Sequence, residues 1–319
     1  MSCRITEIKE DPDIDVLSKG MIGFAEVGED KIILPTKYKD YHEIINKFEV
    51  RDSDIYLVGY PKSGTTWTQE MIWLIANDLN YMGAEEDILK RCPILELPIY
   101  FENEEWLYGE ELMTRLDKMP SPRCIRTHLP WQLLPEQIKN GSKNPKIICV
   151  FRIPEDVCVS FYHHNVLVRG YEGSLDQFCR LFLAGRTLCG PFWKWMLGIW
   201  QQRHNSNVLI ITYENMKKNL AGTIKDVAKF LQRNVNEDDI EKLLHHLSLE
   251  SMKANANVNM SRYIEYRHLG TTEKRKGEFI RRGVAGGYKS EMTEDQMEAF
   301  KKWTQENLVG VDLEFTSNF

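Results

Sequence analysis

Apolar positions along this chain gather in short continuous runs, separated by stretches of mixed polarity with helical spacing. The clearest runs are residues 55–59 (Ile-Tyr-Leu-Val-Gly), 147–151 (Ile-Ile-Cys-Val-Phe) and 208–213 (Val-Leu-Ile-Ile-Thr-Tyr). Runs of this length without alternation predict strands buried on both faces. Each leads into a segment with helical periodicity, over residues 65–77, 154–168 and 216–231. Pro154 suits the first turn of the second helix. Strands alternating with helices predict an α/β fold, a mostly parallel central sheet flanked by helices, in a single domain over residues 1–319.

Two regions break the rhythm, after a lead-in over residues 1–50. Residues 82–122 are rich in Glu, Pro and aromatics and read as an excursion over one sheet edge. Residues 254–290 are polar and basic, with Gly270, Gly277, Gly283, Gly286 and Gly287. Long loops in compact domains are often binding segments, though either stretch alone could be irregular surface. The first is the expected acceptor-site segment and the second a closing loop.

Composition narrows the partners. Hydrophobic residues make up 42% and charged residues 28% of the 319 residues, a globular balance. The net charge of −6 disfavours general nucleic-acid binding, so any bound anion needs a local cluster of cations. Seven scattered cysteines, with no C-x-x-C pair, speak against a disulfide framework or a structural zinc site. The N-terminus has no apolar signal core, and no window reaches the roughly 18 apolar residues of a membrane span. A cytoplasmic protein without membrane or nucleic-acid partners is expected.

The chemistry concentrates first in Gly59-Tyr60-Pro61-Lys62-Ser63-Gly64-Thr65-Thr66-Trp67. It follows an apolar strand and opens a helix, where free backbone N–H groups and the helix dipole favour an anion. The nucleotide-triphosphatase loop places Lys before its final hydroxyl residue. Thr65 stands there, and the lysine has moved to Lys62. A γ-phosphate clamp with magnesium is thus poorly supplied. A 5′-phosphate with a cation beside it fits better.

The run from Tyr60 to Trp67 resembles the donor-binding signature of the cytosolic sulfotransferase family. Similarity recurs at intervals from Ile55 to Tyr288, with a longer lead-in before Lys62 than is usual. The invertebrate-type branch that includes retinol dehydratase is the expected placing. The resemblance implies the sulfotransferase fold with its P-loop-like phosphosulfate-binding loop. It implies 3′-phosphoadenosine 5′-phosphosulfate (PAPS) as donor, the bisphosphate PAP as product, and no metal. Lys62, Ser63, Gly64, Thr65, Thr66 and Trp67 become donor contacts.

Further motifs match residue by residue. Arg126-Thr127-His128-Leu129-Pro130 resembles the family's Lys-Thr-His-Leu-Pro, whose histidine is the catalytic base. Imidazole titrates near neutrality, so it can take a proton from an attacking hydroxyl. Spacing alone would not select His128 among eight histidines. Arg126 keeps the charge of the family's lysine and changes its geometry. Arg152, at a strand end, and Ser160 match the pair that binds the 3′-phosphate, although Ile153 stands where the family has Asn. Arg281-Arg282-Gly283 matches Arg-Lys-Gly, with Gly287 and Tyr288 replacing Asp-Trp. Trp67 and Tyr213 fall beside the adenine. Ser248 is retained from a Thr-Ser-Phe segment, Leu249 replaces its aromatic, and Met252 follows.

The expected reaction is in-line transfer of a sulfuryl group to the hydroxyl of a small apolar acceptor: a phenol, sterol or terpenoid alcohol. Catalytic residues are His128, Lys62 and Ser160. Arg126, His128, Phe101 and Trp106 face the acceptor, with Tyr108 and the cluster from Phe192 to Met196 as either pocket wall or core. Sulfation of an allylic alcohol can end in elimination, a net dehydration. A non-catalytic nucleotide-binding relative and, less readily, a small-molecule kinase remain alternatives. The family's dimer segment is altered by Glu294, so monomer and homodimer both stay open.

Overall fold

Four parallel strands form the centre of the computed structural model, which describes residues 3–9, 23–100, 110–267 and 277–313. In chain order, a three-stranded antiparallel sheet comes first: β1 (Ile5–Glu7), β2 (Phe24–Val27) and β3 (Ile32–Pro35). It lies within the lead-in. Backbone bonds from Ile33 to Gly190 and from Cys189 to Ile33 tie it to the chain around residues 189–190.

The central sheet contains β4 (Ile55–Gly59), β5 (Cys124–Thr127), β6 (Lys146–Phe151) and β7 (Val208–Thr212) in the order β5-β4-β6-β7. All pairs are parallel. β4 is buried throughout and β6 at all but its first residue, which is why their sequences read as unbroken apolar runs. The chain leaves β4 for β5 on one side and then returns to β6 on the other. Open sheets bind ligands at such a reversal, outside the carboxyl ends of the strands. Gly59, Thr127, Phe151 and Thr212 end the four strands, so the segments that follow them meet at one edge.

Helix α1 (Thr65–Ala76) follows β4, and α2 (Pro154–His164) follows β6. The helix expected to run to residue 168 changes character after His164. Residues Asn165–Arg169 form a π-helical turn, ended by Gly170 at φ 68°. The helix expected over 216–231 is two helices, Tyr213–Lys218 and Leu220–Phe230. Asn219 separates them with extended backbone (φ −149°), and its side chain accepts from Gly222 N. An asparagine that can satisfy free N–H groups there starts a new helix instead of continuing the old one.

Within the excursion over residues 82–122, residues 93–95 lie along the β5 edge. Ile94 bridges Arg126 in parallel fashion, with Arg126 N donating to Pro93 O and Leu95 N to Arg126 O, both at 2.8 Å. Phe101, Trp106 and Tyr108 lie outside the described residues. The cluster from Phe192 to Met196 is core: Phe192, Trp193, Trp195 and Met196 are buried, three of the rings around Tyr60 or each other. Glu294 is an exposed first-turn residue behind the N-cap Thr293. No helix among the described residues is long and apolar enough to cross a membrane.

Candidate active site

The turn between β4 and α1 sets the site. Lys62 and Gly64 both take positive φ, 72° and 99°, folding residues 60–64 into a cradle ahead of the helix. Gly64 has no substitute there, since a Cβ would come within 2.7 Å of the Tyr213 ring. No side chain caps the first turn of α1. Its free N–H groups therefore face a cavity lined by Gly64, Thr65, Thr66 and Trp67. Ser63 is buried beneath the loop, with its hydroxyl unpartnered.

That cavity also gathers Lys62, Arg126, Arg152, Ser160, Arg281 and Arg282, with Gly283 at its rim. Arg152 is held in place from several sides. It donates to Lys62 O and Val284 O at 3.2 Å, pairs with Asp156 at 3.3 Å, and lies 4.1 Å over the Tyr213 ring. Its buried Nε has no partner. Arg281 donates to Glu291 Oε1 at 2.8 Å, and Arg282 to Ser290 Oγ at 2.8 Å. Trp67 donates from its ring nitrogen to Leu247 O at 2.8 Å and meets Tyr213 edge-on at 5.8 Å. Leu249 and Met252 line the same end. Ser248 does not: it is the N-cap of α3 (Leu249–Ala254), accepting from Ser251 N at 3.2 Å.

Lys62 stands between this cavity and a second one, lining both along with Arg126 and Phe279. Its ammonium lies 4.0 Å from the Phe279 ring centroid. Burial, then the cations Arg126, Arg152 and Arg281, push its proton affinity down to about 7. His128 lines only the second cavity. Its Nδ1 is 2.5 Å from Gly59 O and its Nε2 is 2.7 Å from Arg126 Nη2. A carbonyl only accepts and a guanidinium only donates, so Nδ1 carries the hydrogen and Nε2 the lone pair. Burial, with Arg126 and Lys62 adding, holds His128 well below the usual histidine range. Arg126 is itself fixed by Gln69 Oε1 at 3.0 Å and Thr66 Oγ1 at 3.3 Å.

Several residues that position the site carry no sequence signal. The buried Glu96 accepts from His128 N at 2.7 Å and Thr127 Oγ1 at 2.8 Å, pinning the chain as it leaves β5. Asp156 accepts from Gly286 N and Tyr288 N at 2.8 and 3.0 Å, and so ties residues 286–288 to α2. Glu291 gathers His163, Arg281 and Arg282. Burial alone would raise its carboxyl, but His163 and Arg281 hold it below the usual range. Asp156 was readable only as an acidic residue in a first helical turn.

A cation-rich cradle at a helix start, joined through Lys62 and Arg126 to a cavity bearing a neutral histidine, suits a class of enzymes that transfer an anionic group. Comparison with known proteins sharpens this. The sulfotransferase domain family matches residues 52–312. Luciferin sulfotransferase of Photinus pyralis is 43% identical over 293 residues, covering 89% of this chain and 79% of that protein. Amine sulfotransferase of Oryctolagus cuniculus is 33% identical, covering 86% of each. Among solved structures, retinol dehydratase in complex with androsterone and the inactive cofactor PAP superposes with a TM-score of 0.86. It shares 28% identity and covers 99% of both chains. The chain belongs to the sulfotransferase family of enzymes.

Proposed function

We propose that the protein transfers a sulfuryl group from PAPS to the hydroxyl of a small, largely apolar acceptor. The observation that supports this most is the position of Lys62. With Arg126, it is a cation shared by the anion cradle and the cavity that holds His128. PAP bound to similar structures supports the choice of donor.

The residues fit such a nucleotide. The cradle backbone and the hydroxyls of Thr65 and Thr66 suit a 5′-phosphate. Arg152, Ser160, Arg281 and Arg282 suit a 3′-phosphate, and the orphaned Nε of Arg152 is a donor awaiting an acceptor. Trp67, Tyr213, Leu249 and Met252 offer apolar faces for a purine. When bound, the donor supplies an activated sulfuryl group on a phosphate leaving group. His128 takes the acceptor's proton at Nε2, a contribution of about 10²–10⁴-fold in rate. Lys62 holds positive charge where the leaving oxygen becomes more negative, a role worth about 10²–10³-fold in comparable sites. Arg126 releases the Nε2 lone pair when the hydroxyl arrives. Catalysis in the cytoplasm suits seven cysteines that are all free thiols.

The test is a thermal shift with PAP against ATP-magnesium, on the wild type and Arg281→Ala. A ligand at about 100 times its dissociation constant stabilises by about 2.7 kcal/mol. PAP alone should shift the wild type, and Arg281→Ala should lose most of that shift. A shift by ATP-magnesium without one by PAP would overturn the choice of donor and favour the kinase alternative.

A further inference from the structure

Helix α2 carries one polar stripe beside the anion cradle. Asp156, Ser160 and His163 follow the i, i+4, i+7 spacing, so they share a face over two turns, about 10 Å of helix. Ser160, in the middle, lines the cradle. On either side of it α2 is bonded to the chain over residues 286–291. Asp156 accepts from Gly286 N and Tyr288 N, and His163 Nε2 meets Glu291 Oε2 at 2.5 Å. An ionised carboxylate only accepts, so that ring nitrogen carries the hydrogen.

The other oxygen of Glu291 serves the arginines. Its Oε1 accepts from Arg281 Nη1 at 2.8 Å and lies 3.4 Å from Arg282 Nη1. Arg281 and Arg282 line the cradle; Glu291, 15% exposed, does not. The carboxylate therefore stands behind the two guanidinium groups and leaves the place of a ligand open. It takes one nitrogen of Arg281, and a guanidinium has further donors for an anion in the cavity. Arg152 is braced by two carbonyls, Asp156 and the Tyr213 ring. Among the described residues, Glu291 is the one hydrogen-bond partner of Arg281. An arginine free to rotate loses side-chain entropy when a ligand orders it, and one already held by a carboxylate has less to lose.

We propose that Glu291 is a positioning residue for the donor: clasped by His163 of α2, it holds Arg281 and Arg282 where Ser160 meets the same 3′-phosphate. The inference rests on the sulfotransferase reading above. It places the preference for a nucleotide with a 3′-phosphate partly in two residues that do not touch it. The 5′-phosphate, held by the turn before α1, is outside their reach.

The experiment titrates PAP and adenosine 5′-monophosphate, which lacks the 3′-phosphate, into the wild type, Glu291→Gln and His163→Leu by calorimetry. Binding of the monophosphate serves as the folding control. Glu291→Gln keeps the volume but loses the charge and one acceptor oxygen. It should weaken PAP about tenfold, the value of one charge-assisted hydrogen bond, and leave the monophosphate within about twofold. His163→Leu should weaken PAP in the same direction, by about threefold or more. With Arg281 and Arg282 both changed to Ala, Glu291→Gln should alter PAP affinity by less than about twofold, because the groups it acts through are gone. Equal losses on the two nucleotides, tighter PAP binding in Glu291→Gln, or a loss that persists without the arginines overturns the proposal and leaves the sulfotransferase reading standing. A wild type that binds PAP no better than the monophosphate removes both.

Discussion

Arg126 is expected to set the ionisation of His128, the proposed base, and removing it should move the acid limb of the pH–rate profile upward. In the structure Arg126 Nη2 lies 2.7 Å from His128 Nε2. With the charge centres about 4 Å apart, an effective dielectric of about 20 gives a repulsion of roughly 4 kcal/mol at most. Burial is the larger cause of His128's low proton affinity, ahead of Arg126. Arg126→Met keeps that burial, so the proton affinity of the histidine rises but stays below the ordinary histidine value of about 6.5. The assay is kcat/KM for the donor from about pH 5 to about pH 9, which reports groups in the free enzyme. The wild type should hold its activity down the acid side, because His128 stays neutral there. The variant should lose activity as the pH falls below about 6.5. The donor's own ionisation is common to both enzymes and cancels in the comparison. Arg126→Met should also be slower at its optimum, but the limb carries the argument. An acid limb that stays put or moves to lower pH refutes the electrostatic role assigned to Arg126.

Three further outcomes follow from the same geometry. Lys62, pushed down to about 7, is about half protonated at neutral pH, so binding the PAP dianions should take up roughly half a proton. Calorimetry in buffers of different ionisation enthalpy measures this, and Lys62→Met should remove most of it. His164 titrates in the folded protein well below its unfolded value, so its contribution to stability is complete above about pH 6.5 and falls as the pH drops, by at most about 1.4 kcal/mol per pH unit. His164→Gln should flatten the loss of stability between about pH 7 and pH 5 in urea unfolding; an unchanged slope means that His164 is protonated in the native state. Asp156→Asn leaves one carbonyl oxygen where the carboxylate accepts from Gly286 N and Tyr288 N, and should weaken PAP about tenfold by titration. Tighter binding would mean that the lost negative charge beside Arg152 outweighs the loop anchor.

The parts of this protein legible in its sequence are those whose physics is local. β4 announces itself as an apolar run, and the cradle as Gly59 and Gly64 around a lysine before two threonines, because strand burial and turn geometry act within a few residues. Arg152 and Tyr213 follow directly, since each comes just after or ends an apolar run. His128 is different. Its backbone is held by Glu96 and its ring by Gly59 and Arg126. Of these only Arg126 is a near neighbour in the chain, so the residues alone gave no reason to prefer it among the histidines. Resemblance selected it.

What escaped the sequence is what the sheet order creates. β4 lies between β5 and β6, so residues far apart in the chain converge on its carboxyl end. Asp156 reaches the closing loop across 130 residues and Glu291 reaches His163 across 128. Read locally, Asp156 is an acid in a first helical turn and Glu291 a surface charge. The anion cradle, set by the β4 loop, is therefore readable from one short segment. The second cavity is assembled from the 82–100 segment, the end of α2 and the chain near Met260, and emerges only when those segments are brought together.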